Sequence, residues 1–341
     1  MCDASPSMDD RLPRRRGPAL ALRFDLRAPA FGTPPAELYE AALVLSELAD
    51  GAGFERITVS EHHHADDGYL PAVTVMAGAI AARTRRARIR FSALILPLHD
   101  PLRVAEDLAV LDVISAGRAE ATVAAGYRAV EFEMLGVPFA GRGTRLASSI
   151  GVLRTAWRGE PFEVEGRPAL VRPVPVQPGG PPLIMGGSTP LAARRAARIA
   201  DGFDPSTPAV LDEYVAECER LGKAPGDHRR RVGPFSLHVS LDPERTRALL
   251  EPHVRHEQNA YRQWDADVTI IAGEQEETDV WSAGTHVVVT PEQAVDALDA
   301  LDGSGVFTLH PLVAGVDPEV AFESMTLLRD RVLPSLSARR A

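Results

Sequence analysis

Cysteine is nearly absent from this 341-residue chain, with only Cys2 and Cys218 present. That excludes a disulfide framework and suits a reducing cytoplasm. Basic charge is also in deficit: 37 Lys and Arg stand against 47 Asp and Glu, for a formal net charge of −10. Phosphate contact needs clustered cations, so nucleic acid is not the expected partner. The run Arg14, Arg15, Arg16 is too short to reverse that balance. No apolar stretch approaches a membrane span. The first residues place acids before arginines with no apolar core, unlike a secretory leader. Residues 1–17 therefore read as a disordered N-terminal tail, and no internal repeat follows.

What the chain does have is alternation. Short apolar runs begin at Ala19, Arg56, Arg88 and Ala119, and again at Pro182, Gly202, Val232 and Gly305. Stretches with apolar residues at helical spacing separate them, as in Leu38, Ala41, Ala42, Leu45, Leu48 and Ala49. Eight strands alternating with helices predict an α/β fold, a TIM (β/α)8 barrel with insertions, as one domain over 18–335. An open doubly wound sheet would need a glycine-rich phosphate loop after its first strand. Here the first strand leads into RAPAFGTPP, which has none. Phe162 to Val176, rich in proline and turn residues, reads as an excursion or a hairpin. The polar, weakly periodic stretch from Leu250 to Gly284 reads as an insertion of about 250–285, an excursion or a mobile lid.

Three motifs carry chemistry. SEHHH, Ser60 to His64, ends the second strand, on the face where barrels keep their sites. Neighbouring residues of an extended segment point to opposite sides, so three consecutive histidines cannot easily share one ion, and no metal is expected. One histidine facing the pocket would instead serve as a general acid or base. Solvated loop histidines are the plain alternative. MGGSTP, Met185 to Pro190, joins a strand to a helix. Its glycines permit close backbone approach, Ser188 can cap the helix, and free N–H groups there suit an anion. An ordinary capped turn explains the same residues. In the segment Leu96 to Arg118, His99 and Asp100 fit either a site or a turn and cap. Asp112 and Arg118 read as a structural polar pair.

Taken in order, these motifs resemble the bacterial-luciferase-like family of flavin-dependent oxidoreductases and monooxygenases. SEHH is similar to that family's Glu-His-His signature. The pattern from Pro97 to Arg118, the segment from Gly126 to Trp157 with Arg145, and PLIMGGSTPLAARRAARIADGF resemble the regions that follow. The resemblance implies a monooxygenase that oxygenates a small organic substrate, using O2 and reduced FMN from a separate reductase. A sister branch uses the deazaflavin coenzyme F420 for hydride transfer, and the family also contains non-catalytic partner subunits. The implied active-site histidine is His62, with His63 beside it. A non-proline cis peptide supporting the flavin ring would fall at Ser92–Ala93. Gly186, Gly187, Ser188 and Thr189 would meet the phosphate, and a homodimer is implied. The sequence departs at the end of the fourth strand. Luciferase proper carries a reactive cysteine and an arginine there, whereas this chain has Ala124 and Ala125, then Gly126 and Tyr127. Tyr127 or another arginine would then take over at the phosphate.

Overall fold

The computed structural model describes residues 18–228, 231–264, 279–282, 284–301, 303 and 305–340. The expected tail, 1–17, lies outside them, as do 265–278 of the expected insertion.

The chain alternates strand and helix from its first described element. Strands β1 (Ala19–Phe24), β2 (Arg56–Val59), β3 (Arg88–Leu94) and β4 (Ala119–Val123) are separated by helices α1 (Pro35–Gly51), α2 (Val73–Arg83) and α3 (Pro101–Ser115). Helices α4 (Ala129–Met134) and α5 (Arg142–Ala156) follow, then a small antiparallel hairpin of β5 (Phe162–Val164) and β6 (Arg167–Ala169). The parallel pattern resumes with β7 (Leu183–Gly187), α6 (Pro190–Ile199), β8 (Gly202–Pro205) and α7 (Pro208–Arg220). The last part holds β9 (Ser236–Val239), α8 (Pro243–Trp264), β10 (His286–Val289), α9 (Pro291–Asp299), β11 (Val306–Leu309), α10 (Pro318–Leu327) and α11 (Leu333–Arg340).

Local sequence explains many of the helix starts. Proline stands in the first turn of α1, α3, α6, α7, α9 and α10. Its fixed φ suits a helix, and its missing N–H is one the first turn cannot use anyway. Asp100 accepts hydrogen bonds from the N–H groups of Leu102 and Arg103, so it caps α3. At α6 the capping side chain is Thr189, which accepts from the Ala192 N–H at 3.2 Å, and not Ser188 as the sequence suggested.

Seven parallel strands share one curled sheet in the order β11-β1-β2-β3-β4-β7-β8. Every residue of β1, β2 and β4 is buried, as expected where helices cover one face and the sheet's own interior fills the other. β9 departs from the expected rhythm. It pairs in parallel with β10 rather than with the sheet, and it begins at Ser236 instead of Val232. Gly233 has φ of 75° and Pro234 has no N–H, so the chain cannot enter the ladder earlier.

Residues 226–228 lie against the β8 edge of the sheet and residues 231–232, the other end of this strap, against the β11 edge. The Asp227 carbonyl accepts from the Phe203 N–H at 2.8 Å, and the Asp227 N–H donates to the Asp201 carbonyl at 3.2 Å. At the strap's other end the Val232 N–H donates to the Val306 carbonyl at 2.9 Å. The backbones meet so closely that a Cβ at Gly226 would lie 1.8 Å from the Asp201 oxygen, and one at Gly202 would lie 2.1 Å from the Asp227 oxygen. Gly226→Ala is therefore expected to lower the melting temperature sharply, because backbone must move on both sides. A thermal melt matching the parent would contradict this packing.

The described start of the expected insertion is helical, and a strand follows its end. Residues 250–264 belong to α8, and 286–289 form β10. The helices α4 and α9 were also not anticipated. Among the described residues no helix is long and apolar enough to cross a membrane.

Candidate active site

At the carboxyl end of β2 the chain stays extended, so alternate residues face opposite ways. Glu61 and His63 fall on one side and His62 on the other. Glu61 accepts from His63 Nε2 at 2.9 Å, from His99 Nε2 at 2.6 Å and from the Ile95 N–H at 2.5 Å. Burial alone would raise this carboxyl; the hydrogen bonds from His63 and His99 outweigh it and hold it down to about 2. Glu61, His63 and His99 could geometrically share an ion. Their direct hydrogen bonds already satisfy the carboxylate, however, and Asp100 beside them serves as a helix cap.

His62 turns the other way, into a cavity of about 540 Å³ at the carboxyl ends of the strands. Its Nδ1 lies 2.7 Å from Glu131 Oε1, on α4. The same oxygen accepts from the His63 N–H at 3.0 Å and from Arg128 at 3.1 Å. Burial would raise the Glu131 carboxyl, but His62 and these donors keep it low and ionised. An ionised Glu131 is only an acceptor, so Nδ1 of His62 carries the proton. Burial also lowers the His62 pKa, against the pull of Glu131. The ring is thus neutral near pH 7, with Nε2 free to accept. The Tyr127 hydroxyl lies 3.4 Å from that nitrogen. Tyr69, Tyr127 and Trp264 surround the ring at centroid distances of 4.8, 5.5 and 4.8 Å. Trp264 comes from the end of α8, and the Arg128 guanidinium lies 3.9 Å from its ring centroid.

Beneath His62 runs a buried polar chain. Arg23 donates to Ser60 Oγ at 3.2 Å, to Tyr69 at 3.1 Å and to Tyr261 at 2.9 Å, and meets His310 Nδ1 at 3.2 Å. His310 also reaches Asp25 at 3.2 Å and Glu257 at 3.4 Å. Glu257 in turn holds His286 at 2.9 Å.

The remaining anticipated residues are distributed as follows. Ser92 and Ala93 line the cavity, and the bond between them is cis. The β3–β4 register shifts at the same place. Gly126 and Tyr127 line the cavity, as does Ala124. Gly186 and Gly187 line it too, while Ser188 and Thr189 are exposed at the start of α6, outside the lining. His63 faces away, towards Glu61 and His99. Arg145 donates to the Pro138 carbonyl at 2.9 Å. Asp112 and Arg118 do not pair with each other. Asp112 holds Gln177, and Arg118 donates to the carbonyls of Ala81, Thr84, Ala87 and Ser115.

Glu131, Arg128, Tyr69, Tyr261 and Trp264 were not anticipated. A signal for the buried chain did exist: Arg23 and Asp25 interrupt an otherwise apolar first strand two residues apart, hence on one face. Nothing local marked Glu131, which lies 69 residues from His62.

The chain is 31% identical over 225 residues to an uncharacterized protein of Mycobacterium tuberculosis, spanning 58% of this chain and 76% of that one. Among solved structures, the monooxygenase RslO1 from Streptomyces bottropensis matches with a TM-score of 0.77 at 22% identity, covering 93% of this chain and 99% of that one. The oxygenating constituent of 3,6-diketocamphane monooxygenase from Pseudomonas putida, solved with FMN, matches with a TM-score of 0.70 at 18% identity, covering 94% and 99%. An F420-dependent secondary alcohol dehydrogenase matches with a TM-score of 0.68 at 16% identity, over the same 94% and 99%. At these identities the structures speak to the fold. A family model described as luciferase-like monooxygenase matches residues 24–308. With its sheet, its cavity and most of its length accounted for, the chain belongs to the luciferase-like monooxygenase family.

Proposed function

We propose that this chain is a flavin-dependent monooxygenase that oxygenates a small organic substrate with reduced FMN and O2. The same reading takes the curled sheet together with β9 as an eight-stranded barrel. The observation that carries it is His62: a neutral, buried imidazole on the cavity wall, with Nδ1 fixed by Glu131 and Nε2 left to accept a proton.

The residues present fit a flavin. The cavity volume lies in the range of cofactor and ligand sites. Two glycines let the wall pack closely where any side chain would collide with its neighbours. A Cβ at Gly187 would lie 2.5 Å from Ala192 Cβ, and one at Gly126 would meet Ile95 at 2.7 Å and Phe132 at 2.9 Å. Gly187 leads into the first turn of α6, whose N–H groups suit a phosphate. When bound, a reduced flavin supplies the electrons that activate oxygen. The protein's part is position and proton handling. Tyr69, Tyr127 and Trp264 wall the His62 ring, and Glu131 keeps one tautomer so that Nε2 serves as the base.

Two further elements belong to this reading. Reduced flavin would come from a separate reductase. A second copy would cover the apolar outer face made by Val75 on α2 and Val110, Val113 and Ile114 on α3, all exposed. A deazaflavin-dependent hydride transfer in the same cavity is the second reading, left open by loop arginines such as Arg142, which donates to the Gly126 carbonyl of the cavity wall, and Arg145. A non-catalytic partner subunit is disfavoured by the fixed, neutral His62.

Anaerobic fluorescence titration of the purified protein with FMN and with F420, each oxidised and reduced, separates these readings. Selective binding of reduced FMN is the expected result. Selective binding of F420 would move the chain to the hydride-transfer branch, and binding of neither would leave the partner-subunit reading.

A further inference from the structure

We propose that the β8 side of the cavity is a carboxylate-binding subsite for the organic substrate, with Arg231 as counter-charge and the Thr122 and Ser206 hydroxyls as hydrogen-bond donors. This rests on the flavin reading only in that substrate and cofactor share one cavity.

Most charged groups elsewhere in the cavity have partners within the protein, Nε of Arg56 excepted. Arg23 has the partners given above. Arg90 holds Glu120 and Asp227, both at 2.7 Å, and Arg56 holds Glu55 at 3.0 Å. The β8 side differs. Among the described residues, Thr122 Oγ1 and Ser206 Oγ are buried without a hydrogen-bond partner, and Thr122 is only 2% exposed. The Asp204 side chain forms no hydrogen bond or ion pair among the described residues, and the guanidinium of Arg231, an exposed residue, lies 4.7 Å from the Phe235 ring centroid and feels the charges of Asp204 and Glu257 without pairing with either. All four residues line the cavity. Buried polar groups are normally paired. Two buried hydroxyls without a partner, in one cavity with the unpaired guanidinium of Arg231, mark a surface completed by a ligand.

The backbone brings them together. Asp204 and Ser206 are two apart along β8 and its extension, hence on one side. Gly186 pairs in register with Asp204, and a Cβ there would lie 3.4 Å from Thr122 Cγ2. The missing side chain leaves the space between Asp204 and Thr122 open.

The balance of charge selects a monoanion. Arg231 is held down to about 10 by burial, with repulsion from Arg23 adding to it. A carboxylate would relieve both effects and match the planar guanidinium fork. Burial raises the Asp204 carboxyl against the opposing charges of Arg90 and Arg56. A dianionic phosphate fits poorly beside the Asp204 carboxyl, with Arg231 the unpaired cation among the described residues of the lining.

The test compares benzoate with benzamide, two rings of one shape that differ in charge. Calorimetric titrations use the flavin-free and the FMN-loaded protein. Benzoate is expected to bind at least about tenfold more tightly than benzamide. Arg231→Met should abolish that preference, Arg231→Lys should restore part of it, and Thr122→Val should weaken benzoate alone. FMN affinity should stay within about twofold in each variant, and melting curves establish that the variants fold. Equal binding of the two probes by the parent overturns the subsite. So does a tenfold loss of FMN affinity in Arg231→Met, which would give this wall to the cofactor. If FMN fails to bind while the benzoate preference persists, the flavin reading falls and the subsite stands.

Discussion

Turnover in His62→Ala is expected to fall by about 10²- to 10⁴-fold, the usual contribution of a positioned acid or base. FMN affinity should change little, because the ring packs against Tyr69, Tyr127 and Trp264 at the cavity wall. The pH profile gives an independent sign. Burial depresses the His62 pKa, Glu131 opposes it, and Arg27 and Arg128 add a smaller depression. A base with a lowered pKa stays active below the usual histidine range, so the acid limb of kcat should fall at lower pH than for a free imidazole. Glu131→Gln removes a group that raises the pKa. It should shift that limb lower still while reducing the plateau, since Nδ1 is no longer held in one tautomer. Oxygen consumption against pH for the three proteins, with FMN titration alongside, checks both. Parental turnover in His62→Ala would remove the histidine from the chemistry.

The largest expected loss of stability comes from Glu257→Ala. Glu257 is fully buried on α8 and joins His286 on β10, His310 after β11 and Arg23 on β1. Removing one member of such a group leaves the others charged without a partner, at about 3–5 kcal/mol. For a chain of this size that is roughly 10 °C of melting temperature. Acid should expose the same network. Burial would raise the carboxyls of Asp25 and Glu257, but the charge of His310 and its neighbours outweighs it and lowers both. Groups depressed on folding stabilise above their unfolded values, roughly pH 4, and that contribution disappears as pH falls through the folded values. The parent should therefore lose stability steeply below about pH 4, and Glu257→Ala should show a shallower slope. Urea melts at a series of pH values measure both slopes; parallel curves would mean the network contributes nothing to acid lability.

The α/β rhythm was legible because β1, β2 and β4 are continuous buried runs and the outer helices carry clear apolar stripes. Helix α8 was not, although its buried positions, Leu250, His253, Val254, Glu257, Gln258 and Tyr261, keep strict helical spacing. Half of those positions are polar, and Pro252 interrupts the pattern, so a reading based on apolar periodicity passes over them. Within the site, SEHHH located the right strand end. Assigning one histidine to the cavity required the alternation of an extended segment, which places His62 opposite Glu61 and His63. The partner of His62 was beyond reach for a different reason: a hydrogen bond across 69 residues leaves no local pattern. The unpartnered groups of β8 were equally hidden, because GFDP reads only as a short strand.

Stiffness around the curled sheet is uneven. Seven strands share ladders, so each is braced by two neighbours or by a neighbour and a covering helix. Along the β8 and β11 edges the described parts of the strap, 226–228 and 231–232, are held by a few backbone hydrogen bonds among the described residues. Thermal opening of the wall should start at that seam. Arg231 rides on the strap and Asp204 on the edge beside it. A molecule gripping both would act as a cross-brace, and its binding free energy and the resistance of the seam to opening would be two readings of the same quantity.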